Sequence, residues 1–178
     1  MSVYGKEDEY HEICATLLHQ LRQYMPEYDK RGIIPADYAQ ELVKKLMPLK
    51  HGKECPKSKW FVAPEMAQLL ADAQRQFVVI MDKNNIRTST TFVPLFGSFD
   101  TKSEPIVMLN CDNKHWMYAA IEASMYLPPM NPYLFSKREE AGSEVALQHL
   151  AKCNENWAKK VPPNVSKSTG SFTNIISV

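Results

Sequence analysis

The chain has 178 residues, 21 of them basic and 20 acidic, for a formal net charge of +1. That balance leaves no global field to draw it onto nucleic acid or an anionic bilayer, so either partner would need a local patch. A chain of this length is expected to form one domain, burying about 70% of the surface its unfolded form exposes.

The four cysteines, Cys14, Cys55, Cys111 and Cys153, are widely spaced and form no C-x-x-C pair. A domain of this size does not need disulfides, so a reducing compartment is expected. The first residues, MSVYGKEDEYHE, are charged where a signal peptide would be apolar, and no run approaches the roughly 20 apolar residues that span a bilayer. An intracellular protein, cytoplasmic or nuclear and without a membrane partner, is the expectation.

In chain order, Tyr10, Ile13, Cys14, Leu17, Leu18, Leu21 and Met25 recur at spacings of three and four, the signature of one helical face. Cys14 is then a core residue. A reactive thiol wants partial exposure and an electropositive setting, not the middle of a leucine stripe. A second helix starts after Pro35, carries Ala36, Tyr38, Ala39, Leu42, Val43 and Leu46, and stops at Pro48, where proline removes a donor. Residues 44 to 59 hold Lys44, Lys45, Lys50, Lys53, Lys57 and Lys59 beside His51, with Gly52 and Pro56 marking an irregular path. No aromatic residue interleaves to stack on bases, which favours a solvated loop over a nucleic-acid surface. His51 and Cys55 are two ligands where zinc needs four, so no metal and no cofactor are expected.

Beyond Trp60, Pro64 suits a first helical turn, and Met66, Leu69, Leu70 and Ala73 form the stripe of a helix ending near Gln76. Phe77 to Met81 reads as a buried strand, Asp82 to Asn85 as a turn, and Thr88 to Leu95 as a second strand. Residues 97 to 104 form a loop. Ile106 to Leu109 make a third strand, Asn110 to Asn113 its turn, and the apolar run resumes after His115-Trp116. This order predicts an α+β domain (helices and strands in α/β sequence) in which helices pack on a small sheet. Arg138 to Trp157 reads as a further helix, with Ala141, Val145, Leu147, Leu150 and Trp157 partly on one side. The polar stretch after it is expected to be loosely held. Asn164-Val165-Ser166 matches a glycosylation acceptor, which means little without a secretory signal.

His115, held at a sheet end between two strands, is the candidate general base. Most single histidines are ordinary surface or core residues, so its neighbours have to carry the case. KWFVAPEMAQLLADAQRQFVVIM resembles the segment of the ovarian tumour (OTU) cysteine proteases in which an aromatic opener precedes the helix leading into the first sheet strand. TFVPLFGSF followed by PIVMLNCDNKHW is similar to the stretch that ends in that family's catalytic histidine and a following aromatic residue, here His115 and Trp116. The order of a helix, a TF-x-P-L stretch, an N-x-H plus aromatic and the Pro-Pro of Leu127-Pro128-Pro129 is most like OTU domains carried by plant and fungal mobile elements. VYGKEDEYHEI looks like the region just after the nucleophile helix. The likeness covers about residues 3 to 135 and rests on order and spacing.

The resemblance implies a small mixed β-sheet packed between helices, an OTU-like domain over 1–135, a helical extension over 136–160 and a polar tail over 161–178. It implies ubiquitin or a ubiquitin-like protein as partner and His115 as the catalytic residue. The family's nucleophile lies in a D-G-x-C stretch, and none of the four cysteines follows Asp-Gly. In many members an Asp or Asn two residues past the histidine orients the ring. Met117 stands there, which leaves Asp112 and Asn113 as nearby substitutes.

A thiol attacks as the thiolate, and a free cysteine with a pKa near 8.5 needs a neighbouring imidazole to reach it. A histidine acting through water alone contributes about 10²- to 10⁴-fold, far short of useful amide hydrolysis. The 178 residues as written are therefore expected not to cleave ubiquitin linkages. Two readings remain open: a thiol-dependent deubiquitinase whose nucleophile stretch precedes Met1, or a degenerate OTU domain that binds ubiquitin or another protein or survives as a mobile-element relic. A third, a nucleic-acid adaptor using the lysine loop, predicts binding that weakens steeply with salt.

Overall fold

The computed structural model describes residues 7–49, 56–59, 61–82, 85, 88–97, 103–111, 115–121, 127–130, 132–137, 143–160 and 176–177. The fold is α+β. Contacts divide the chain into two compact units, Met1–Gln74 and Arg75–Val178. No described helix is long and apolar enough to cross a membrane.

The first unit is helical: α1 (Glu7–Lys30), α2 (Ala36–Leu46) and α3 (Glu65–Gln74), with a short 3₁₀ turn at Lys57–Lys59. The stripe on α1 buries Cys14, Leu17, Leu18 and Leu21, as its spacing predicts. The helix continues through Pro26 to bring Tyr28, also fully buried, into the same core. The Tyr28 hydroxyl donates to Asp72 Oδ2 at 2.6 Å and accepts from Gln20 Nε2 at 3.2 Å, tying α1 to α3. Such bonds offset the cost of placing an aspartate and a glutamine where water is excluded. α3 is buried from Met66 through Asp72, so it lies inside the unit on most sides and carries Gln68 and Asp72 in with its apolar stripe.

Two devices set the ends of α1 and α2. Gly32 takes a left-handed φ of 66°, and the N–H groups of Gly32 and Ile33 close on the carbonyls of Asp29 and Tyr28. That is the glycine-terminated helix end, with Asp29 Oδ1 then accepting from the Ala36 N–H at the start of α2. At the other end of α2, Lys59 Nζ donates to the carbonyls of Lys44, Lys45 and Met47, and Lys45 Nζ reaches the Ser58 carbonyl. Carbonyls at a helix C-terminus lack intrahelical donors and carry partial negative charge, so an ammonium group satisfies them. Two of the lysines read as a solvated patch are thus structural. Lys50, His51, Lys53 and Cys55 lie outside the described residues.

The second unit is built on a five-stranded sheet of order β2-β1-β3-β4-β5. Its strands are β1 (Val78–Asp82), β2 (Thr90–Phe92), β3 (Ile106–Cys111), β4 (His115–Ile121) and β5 (Ile176–Ser177). β1 and β3 run parallel, and the other pairs are antiparallel. α4 (Pro132–Ser136) is a single short helix, and α5 (Ser143–Lys160) follows it. One core joins Phe77, Val79, Met81, Val93, Val107, Ala119 and Leu127 to Cys153 and Trp157 of α5. The indole and thiol of α5 thus pack into the same core as β1, β3 and β4. Ile176 and Ser177, inside the stretch expected to be a loose tail, pair with Ile121 and Ala120 of β4. The rest of 161–178 lies outside the described residues.

At the start of this unit Arg75 holds a left-handed φ of 55°, and its guanidinium donates to the Phe96 carbonyl. Gly97, at φ 67°, lies so close that an added Cβ would stand 2.7 Å from Arg75 Nη1. Only glycine both adopts that backbone and leaves room for the arginine.

Candidate functional site

β3 is longer than its apolar run suggests. Asn110 and Cys111, read as turn residues, are its last two positions, which leaves only 112–114 between the strands. Those three residues, including Asp112 and Asn113, lie outside the described set. Pairing runs Val107 with Ala119, Met108 with Tyr118, Leu109 with Met117, Asn110 with Trp116 and Cys111 with His115. His115 is thus the first residue of β4, directly across from Cys111. That is the sheet-end position the sequence predicts for it.

On the other side of β3, Asp82 closes β1 opposite Asn110. The C-terminal ends of the two parallel strands therefore fall beside the hairpin that carries His115, the end of a parallel pair where ligand sites usually form. Asp82 is engaged locally. Its Oδ1 accepts from the Asn85 N–H and its Oδ2 from the Thr88 hydroxyl, while its own N–H donates to Ser89 Oγ. An aspartate bonding its following backbone is a turn-former, and here it shapes the connection to β2.

The position two residues past the histidine holds Met117, 42% exposed, whose sulfur lies 3.6 Å from Cys111 Sγ. Neither atom can orient an imidazole as a carboxylate or amide would. The TF-x-P-L stretch forms β2 and the buried run after it, with Phe92, Val93, Pro94 and Leu95 all inside. The Pro-Pro segment docks on that strand: Thr91 Oγ1 donates to the Pro128 carbonyl at 2.6 Å and the Thr91 N–H to the Pro129 carbonyl at 3.2 Å. In the sheet order these contacts fall at β2, with β1 and β3 between them and His115.

Of the cysteines, Cys14 and Cys153 are buried in helices, Cys111 is partly exposed, and Cys55 is outside the described residues. Burial pushes the Cys153 thiol above its ordinary range, a shift that Lys152 and a backbone hydrogen bond from Leu127 only partly offset. That thiol is inert, since the nucleophile is the thiolate. Among the described residues no group of three or more His, Cys, Asp or Glu side chains is placed to hold a metal ion. The sequence reading named His115 and missed that Cys111 opposes it. Counting across a three-residue turn with the strand period of two would have found the pair.

No family model matches the chain, and neither do any curated protein or any solved structure.

Proposed function

We propose that the chain is an OTU-like domain, related to ubiquitin-specific thiol proteases, that engages ubiquitin or a ubiquitin-like protein without cleaving the linkage. The observation that carries this reading is the position of His115. It opens β4 at the sheet end where two parallel strands finish, after a helix that feeds β1 and a TF-x-P-L strand that receives the Pro-Pro segment, the order on which the resemblance rests. The absence of cleavage follows from the thiols. No cysteine among the 178 residues follows Asp-Gly, two of the three described ones are buried, and Met117 stands at the ring-orienting position.

The test is direct. The purified chain is titrated with ubiquitin by NMR and incubated with ubiquitin chains of several linkages. Saturable shifts without hydrolysis are expected. Hydrolysis abolished by His115→Ala would make the chain itself a protease, and the lack of both binding and hydrolysis would overturn the OTU reading.

A further inference from the structure

The sheet has two unlike faces. Val79, Met81, Val107 and Ala119 point to the side packed by Cys153 and Trp157. Residues one position away point to the other side, because side chains alternate along a strand and paired residues share a face. There the register lines up Asp82, Asn110 and Trp116 across β1, β3 and β4, with Ile80, Met108 and Tyr118 in the adjacent row. Met108 is buried, but Ile80, Asp82, Asn110 and Trp116 are partly open and Tyr118 is 55% exposed. The rim of this face thus presents an indole and a phenol two positions apart on one strand, with an amide and a carboxylate in the row of the indole.

That combination matches a sugar ring. The C–H face of a pyranose is apolar and slightly electropositive, so it stacks on the electronegative face of an aromatic ring, while its hydroxyls call for acceptors and donors at the ring edge. Asp82 supplies the acceptor. Its two oxygens accept from the Asn85 N–H and the Thr88 hydroxyl, and a carboxylate has about four acceptor sites, so these two bonds orient it without saturating it. The amide oxygen of Asn110 is buried, which leaves the donor's role to its nitrogen. Neighbouring strands lie about 4.8 Å apart and alternate residues of one strand about 7 Å, so the two aromatic rings suit successive sugar units, with the polar pair beside the first. Charge decides against a stacked nucleic acid. Among the described residues of the two rows Asp82 carries the only formal charge, whereas a strand of phosphates calls for a basic groove. We propose that this rim binds a neutral oligosaccharide, which stacks on Trp116 and Tyr118 and hydrogen-bonds to Asp82 and Asn110. The site goes beyond the ubiquitin reading and does not rest on it.

The experiment titrates the full chain by calorimetry and NMR with cellohexaose, maltohexaose and chitohexaose, and in parallel with a single-stranded oligothymidylate. Saturable binding of at least one of the three sugars is expected, with amide shifts centred on β3 and β4. Trp116→Ala and Tyr118→Ala should each weaken it by roughly tenfold. Asp82→Asn should weaken it by roughly tenfold or more, through loss of a charged acceptor. Met47→Ala, at an exposed methionine of the helical unit, should leave it unchanged. Tyr118 is exposed, so its alanine variant stays folded even should the others not, as a melt of each variant would show. Binding of none of the three sugars, tighter binding of the oligothymidylate, affinity undiminished in Tyr118→Ala, or equal loss in Met47→Ala would overturn the proposal. Ubiquitin does not enter the measurement, so its outcome is separate from the test of the OTU reading.

Discussion

Tyr28 shows what a single hydroxyl does in the helical unit. It donates to the buried Asp72 carboxylate while accepting from Gln20, and its ring is fully enclosed. Tyr28→Phe keeps the packing but takes one donor from a carboxylate that water cannot reach. A loss of about 1–3 kcal/mol, read from urea unfolding, is expected. Cys153 makes the opposite case, a polar group kept neutral by its surroundings. Its thiol pKa is raised in the folded chain, so ionisation favours unfolding. The stability it contributes is complete below the ordinary thiol range and is lost as pH rises through the raised value. Iodoacetamide at neutral pH should accordingly modify Cys111 well before Cys153, as mass spectrometry of tryptic peptides would show, and equal rates would contradict the burial.

Individual elements depend on contacts made from outside them. The C-terminus of α2 is held by Lys59, a residue 13 positions beyond Leu46, whose ammonium group spans three carbonyls. Lys59→Met keeps the alkyl stem and removes the donors, and should cost about 1 kcal/mol with faster amide exchange in the last turn of α2. Gly97→Ala adds a methyl where φ is left-handed and the Arg75 guanidinium sits 2.7 Å away. The backbone penalty alone is about 1–2 kcal/mol, and displacing Arg75 forfeits its bond to Phe96 besides. On α5, the indole of Trp157 is 5% exposed within the sheet core. Trp157→Ala leaves a cavity among Val79, Met81 and Val107 and should cost about 3–5 kcal/mol, with exchange rising first in β1 and β3. A melting temperature unchanged by that substitution would show that α5 does not hold the sheet.

For the molecule as a whole, helix and strand order were legible because each element repeats its own period. The leucine stripe of α1, the Pro35–Pro48 bracket around α2 and the β-branched run of β1 are local patterns, and they fixed the α+β class and the strand that His115 opens. Four things were decided by tertiary structure instead. The division at Gln74–Arg75 reflects which residues touch, and the sequence contains no linker there to announce it. Asp72 enters the core because Tyr28 supplies its carboxylate with a donor where the helices exclude water. The parallel pairing of β1 with β3 joins strands that are separated in sequence by β2 and a loop. The opposition of Cys111 to His115 depends on a register that the pairing of Val107 with Ala119 and Leu109 with Met117 enforces. Periodicity is a property of a segment and can be read from it. Register, burial of polar groups and the meeting of distant side chains are properties of pairs, set by the packing that satisfies both partners at once.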